Sequence, residues 1–146
     1  MMIRDIHKAI IASLLIGLPL LSFAKRYDVT LPEVASCLKT AQPGDQIYIK
    51  DGQYKDMQLK WMGKGTEKSP ISIKALNPGK VKIEGGSTLR IAGEWISVDG
   101  LYFTDGYAPK GSVIEFRNGQ ELANHCRLTN CVIRSEEHTS ELQSRI

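Results

Sequence analysis

The sequence has little cysteine, few aromatic residues and no long run of charge of either sign. Three cysteines in 146 residues, none in C-x-x-C spacing, argue against a structural metal site and against a disulfide framework. Cys37, Cys126 and Cys131 are read as small buried side chains, although in an oxidising compartment one pair could bridge. Aromatics make up 7% and do not interleave with basic clusters, which leaves no footing for a nucleic-acid partner. The longest apolar run, residues 9–21, is interrupted by Gly17 and Pro19 and falls short of the roughly 20 residues that span a bilayer. A membrane anchor is therefore the weaker reading. With Arg4 and Lys8 before it and Ser22-Phe-Ala24 after it, the run has the form of a secretory signal peptide cleaved after Ala24. Residues 1–24 are expected to be removed, and the mature protein to be secreted or periplasmic with no membrane attachment.

The other end also stands apart. Residues 134–146 lose the strand pattern that precedes them and are similar to the translation of a widely used DNA-sequencing adapter. They are read as lying outside the natural coding sequence, so His138 carries no functional weight. Residues 25–133 then form one unit, with 15 Lys and Arg against 12 Asp and Glu. That mild basicity suits a polyanionic ligand.

Within this unit, Thr30-Leu-Pro-Glu33 reads as a helix start, with Thr as N-cap, proline in the first turn and an acid facing the helix dipole. Val34, Leu38 and Ala41 give one apolar face, which predicts an amphipathic helix of about three turns over residues 30–41, ended by Pro43-Gly44. From Gln46 onward apolar residues alternate with polar ones between glycine-rich turns, the pattern of short strands. Ile47-Tyr-Ile49, the run carrying Tyr54, Met57 and Leu59, and Ile71-Ser-Ile-Lys-Ala75 are such strands. Val81 with Ile83, Leu89 with Ile91, Ile96 with Val98 and Leu101 with Phe103 continue the series. Val113, Ile114 and Phe116 form another, and Cys126 to Ile133 closes it. No two-residue hairpin of the Asn-Gly type is expected.

Spacing separates the architectures that such strands could build. The pairs Ile47/Ile49, Ile71/Ile73 and Ile96/Val98 recur at intervals of 24 and 25 residues. One coil of a β-solenoid needs about this much chain, whereas a β-sandwich shows turns every 8–12 residues. The expectation is an all-β, right-handed parallel β-helix whose N-terminal coils are capped by the short helix, which would cover the first coil and block edge-to-edge association. Asn130, at a turn, is expected to point inward and stack on its neighbours.

Several stretches resemble one known family. Ala41-Gln-Pro-Gly-Asp45, Asp51-Gly-Gln-Tyr54, Pro70-Ile-Ser-Ile-Lys-Ala-Leu-Asn-Pro-Gly-Lys-Val81, Val98-Asp-Gly-Leu-Tyr-Phe103 and Cys126-Arg-Leu-Thr-Asn-Cys131 are similar to the N-terminal coils of the polysaccharide lyases that comprise alginate lyases and chondroitinase B. Gly106-Tyr-Ala-Pro109, Val113-Ile-Glu-Phe-Arg117 and Leu122-Ala-Asn-His-Cys126 resemble the alginate-degrading members more. The resemblance implies β-elimination on a uronic-acid polymer, alginate before chondroitin or dermatan. In that chemistry calcium neutralises the uronate carboxylate, a lysine removes the C5 proton and an arginine assists the leaving O4. It also implies that base, arginine and calcium ligands lie on coils downstream of residue 133. The chain is thus expected to be an N-terminal fragment, inactive and binding no calcium by itself. A non-enzymatic carbohydrate-binding β-helix is the alternative from a different class.

No residue of the chain is therefore assigned to catalysis or to metal. Lys74 and Lys80 fall in a structural turn motif and are read as solvated. Glu84, Asp99, Asp105 and Glu115 do not cluster in the sequence as calcium ligands would, and the Asp-Gly pairs are read as turns. His125 and Cys126, adjacent on a strand, would point to opposite faces and form no dyad. Arg117 and Asn118, at a strand end, are the candidate contacts to an acidic polysaccharide.

Overall fold

The computed structural model describes residues 23–134, and within them the chain winds as a parallel β-solenoid of about three turns. The leader read over residues 1–24 and the tail read over residues 134–146 fall outside these residues, apart from Phe23, Ala24 and Arg134. Three sheets run along the solenoid. The first holds β1 (Arg26–Val29), β2 (Gln46–Ile49), β5 (Ile71–Ala75), β8 (Ile96–Asp99) and β13 (Arg127–Thr129), in that order. A second stacks β3 (Gly52–Lys55), β6 (Val81–Gly85), β9 (Tyr102–Gly106) and β14 (Val132–Ile133). The third is built on β4 (Gln58–Lys64) and β7 (Thr88–Glu94), with β10 (Ile114–Glu115) and β12 (Glu121–Asn124) both pairing to β7.

Alternation decides which side chains enter the solenoid. In β5 the burial reads buried, partial, buried, partial, buried, because Ile71, Ile73 and Ala75 face inward. Ile47, Ile73 and Val98 share one register position on successive coils, and Leu128 continues the column. Stacking like on like buries each aliphatic against the one above and below it, so each coil completes the core of its neighbour. Leu59 on Leu89 and Trp61 on Ile91 do the same in the third sheet, and all four are buried.

The register corrects the expected first interval. Ile47 pairs with Ile73 and Ile49 with Ala75, an offset of 26 residues rather than 24. Because side chains repeat every two residues, a slip of two leaves the same residues on the same face, and the hydrophobic pattern cannot tell the registers apart. The second interval is 25, as expected. The strand expected to carry Tyr54, Met57 and Leu59 is two strands, β3 and β4, divided at Asp56, whose φ is +55°. β4 then runs on to Lys64.

The helix is shorter than the three turns predicted. Leu31–Glu33 is a single 3-10 turn and α1 spans Val34–Leu38. Both Thr30 N–H and its hydroxyl donate to the Glu33 carboxylate at 2.7 Å, which fixes the start. At the other end Pro43 turns the preceding backbone away from helix, and buried Asp45 ties the bend by accepting from the N–H of Gln42 at 2.9 Å and of Lys25 at 2.8 Å. Leu31, Val34 and Leu38 are buried and close the first coil.

At the corner between the first and second sheets, polar side chains join successive coils. Asn77 donates to the Asp51 carboxylate at 2.9 Å, and Asn130 to Asp99 at 2.7 Å. Asn130 is thus exposed and joined to the coil below, not inward as expected. Its φ of +49° turns the side chain out of the core. Close backbone approach fixes one glycine. A Cβ on Gly93 would stand 2.0 Å from the Gly63 carbonyl oxygen, and its φ is +108°.

Candidate functional site: the outer face of the third sheet

On β4 the inward Leu59 and Trp61 leave Gln58, Lys60, Met62 and Lys64 pointing out. On β7 the outward positions are Thr88, Arg90, Ala92 and Glu94, each beside its β4 counterpart. The third coil then departs from the pattern. β10 pairs with Leu89 and Arg90, and β12 rejoins the sheet only at Gly93 and Glu94. Between them the chain folds out as an antiparallel hairpin, β11 (Arg117–Asn118) against β12, with Arg117 opposite Leu122 and Asn118 opposite Glu121.

This hairpin was not expected from the sequence. Its two-residue loop is Gly119-Gln120 rather than Asn118-Gly119, and Gly119 supplies the left-handed conformation at φ +64°. The hairpin covers Ala92, which is fully buried although it faces outward. Arg90 and Glu115 form an ion pair on the same face, and Asn118 donates to the Met62 sulfur at 3.1 Å.

Arg117 and Asn118, the two candidate contacts, therefore sit on the first strand of this hairpin. The Arg117 side chain is exposed and its Nε donates to its own loop at Gly119 O. Asn118 is half-buried through its contact with Met62. Phe116, expected inside a strand, is exposed.

A second cluster lies at the corner between the third and first sheets. Trp95 and His125 occupy it on successive coils, with φ of +52° and +53°. Arg127 Nε donates to Ser97 Oγ at 3.2 Å beside them, and Glu67 lines the same cavity of about 140 Å³. His125 thus lies on a left-handed bend and not on an extended strand. Cys126 turns to the carbonyl oxygens of Gly93 and Asn124, while the His125 ring packs on Trp95, so the two side chains have separate partners and form no dyad. Burial pushes the thiols of Cys126 and Cys131 up, the opposite of what a nucleophile needs.

The acids named from the sequence are dispersed. Glu115 is held by Arg90, and Asp99 accepts from Thr129 and Asn130. Among the described residues, no three His, Cys, Asp or Glu side chains converge on a point that could hold a metal ion. Lys74 is partly buried on β5 and Lys80 exposed at the turn before β6.

A family model described as Chondroitinase B matches residues 30–144. Among solved structures, the chain is similar to the PL6 family alginate lyase AlyGC at 43% identity and a TM-score of 0.69, over 74% of this chain and 15% of that one. It is similar at 34% identity and TM-score 0.66 to a mannuronic acid specific polysaccharide family 6 lyase from human gut microbiota, over 75% of this chain and 26% of that one. The PL6 family polysaccharide lyase Pedsa3628 from Pseudopedobacter saltans shows 32% identity and TM-score 0.65, over 75% and 24%. The chain spans about a quarter or less of the length of each. No curated protein matches it.

Proposed function

The chain belongs to the chondroitinase B family of polysaccharide lyases, and on that footing we propose that the whole protein cleaves alginate by β-elimination. The observation that carries the choice of alginate is the 43% identity to an alginate lyase over 74% of this chain. The family model itself supports chondroitin or dermatan as the second substrate class.

In this reading Arg117 and Asn118 contact the polymer where the hairpin rises over the third sheet. An exposed guanidinium suits a uronate carboxylate, and the carboxamide beside it suits sugar hydroxyls. Elimination needs a base at C5 and a proton for the departing O4. We assign both to residues beyond those described, and the described residues alone are proposed to be inactive. Calcium, implied by the resemblance, finds no fitting ligand set among the acids described above. Any calcium would be held elsewhere in the whole protein, and no step is drawn through it. Export through the leader over residues 1–24 completes the proposal, placing the protein where polysaccharide is met.

The test is to incubate the whole protein with alginate and with dermatan sulfate and to follow the ultraviolet absorbance of unsaturated chain ends. A rise with alginate is expected. Saccharide binding with no rise on either polymer would replace the lyase by a binding protein, and a rise with dermatan sulfate alone would change the substrate.

A further inference from the structure

A hollow of about 540 Å³ lies where α1 meets the outer face of the third sheet. Its size falls in the range of about 300–1,000 Å³ found for small-ligand sites. Lys39 from the end of α1 and Lys60 and Lys64 from β4 stand around it, and all three are exposed. The floor between them is apolar, with Leu38, Ala41 and Met62. Among the described residues no carboxylate comes within salt-bridge distance of these lysines, whereas Arg90 on the same face is paired with Glu115. Glu94, opposite Lys64 in register, is the acid on that face nearest to them in the pairing.

Three ammonium groups outside any ion pair, over an apolar floor, present what a uronate unit offers in reverse, a carboxylate beside a face of C–H groups. The geometry points to this hollow as a binding subsite for the carboxylates of an acidic polysaccharide, made of residues other than Arg117 and Asn118 and bordering the hairpin at Met62. It rests on the reading of the ligand given under the proposed function. Lys60 and Lys64 are four residues apart on one strand, about 13 Å. One sugar cannot reach both, and a short oligomer can. The subsite therefore holds a run of the polymer and leaves single uronates weakly bound.

The experiment compares binding of size-graded alginate oligomers to the full chain in three forms at two salt concentrations. These are the unaltered protein, a Lys39→Gln/Lys60→Gln/Lys64→Gln triple variant, and a Lys55→Gln/Lys68→Gln/Lys80→Gln triple variant. The last removes the same charge from exposed positions outside the hollow. Loss of three exposed ion contacts is expected to weaken oligomer binding about tenfold or more and to flatten its salt dependence. The second triple variant should stay within about twofold. Equal weakening by both triples would reduce the effect to net charge and overturn the subsite, as would no weakening by the first, or no oligomer binding by the unaltered protein. Lyase activity is read separately on the whole protein. Cleavage of alginate with oligomer affinity unmoved by the first triple would sink the subsite and leave the lyase standing. Binding through the three lysines in a protein that cleaves no uronate polymer would do the reverse.

Discussion

The imidazole of His125 lies over the indole of Trp95, ring centroids 4.1 Å apart and planes 7° from parallel. The two are 30 residues apart in sequence and one coil apart in space, and each holds a left-handed backbone. Such a stack contributes on the order of 0.5–1.5 kcal/mol beyond area burial.

Two substitutions at His125 separate ring from backbone. His125→Ala removes the stack and keeps a Cβ at positive φ, whereas His125→Gly removes the stack and relieves the backbone. The Gly variant is expected to be the more stable by about 1 kcal/mol or more, the reverse of the usual order. Urea unfolding of the pair decides it, and an Ala variant as stable as Gly would remove the left-handed strain from the account.

Gly93→Ala should be among the most damaging single methyl additions in the chain. The added carbon would meet the Gly63 carbonyl at 2.0 Å, and backbone at that site cannot move without shifting the coil below. A loss of about 3 kcal/mol or more is expected, by overpacking together with the positive φ. Gly79→Ala, also at a positive φ but in open space, should cost less, about 1 kcal/mol.

The Thr30 hydroxyl, first, and its backbone N–H hold the Glu33 carboxylate below the usual carboxylate range. A depressed acid adds stability above its unfolded-state value and loses it as pH falls through the folded one. Glu33→Gln should therefore be less stable than the unaltered chain at neutral pH, with the gap closing below the ordinary glutamate range. Unfolding curves from pH 7 to pH 3 measure this, and a gap independent of pH would rule out the carboxylate as its source.

Burial is the leading cause of the raised thiols at Cys37, Cys126 and Cys131. Alkylation by iodoacetamide at neutral pH should be slower in the folded chain than in urea for all three. A cysteine labelled as fast folded as unfolded would show its thiolate to be accessible.

The fold was legible because aliphatic pairs mark the inward face of every coil, and inward faces are what solenoids must repeat. Ile71 and Ile73 illustrate both the reach and the limit of that signal. They identify a strand and its buried side, but their partner in the coil below is fixed by turn length, which alternation does not encode. The helix was overestimated because Ala41 fits an apolar stripe, while Pro43 and the Asp45 bend end the helix near Leu38. Arg117 and Asn118 are legible in the sequence as polar residues at a strand end. Their placement on a hairpin was not, because Gly119 in the first loop position displaced the Asn-Gly signal by one residue. The lysine hollow was readable in part, since Lys60 and Lys64 alternate with Leu59 and Trp61. Lys39 joins them only through packing of α1 on the sheet, a contact between segments more than 20 residues apart.

The 30-residue interval between Val98 and Leu128 exceeds the preceding one by five residues. The surplus enters between β10, which keeps the 25-residue offset from β7, and β12, which takes the 30-residue offset at Ala123. That hairpin segment therefore behaves as a splice point. Replacing its exposed tip, Gly119-Gln120, which contributes nothing to the aliphatic column, with longer or differently charged segments should alter what rests on the third sheet while the coils above and below keep their registration. The scaffold offers a graft position for redesigning polymer selectivity without reworking its interior.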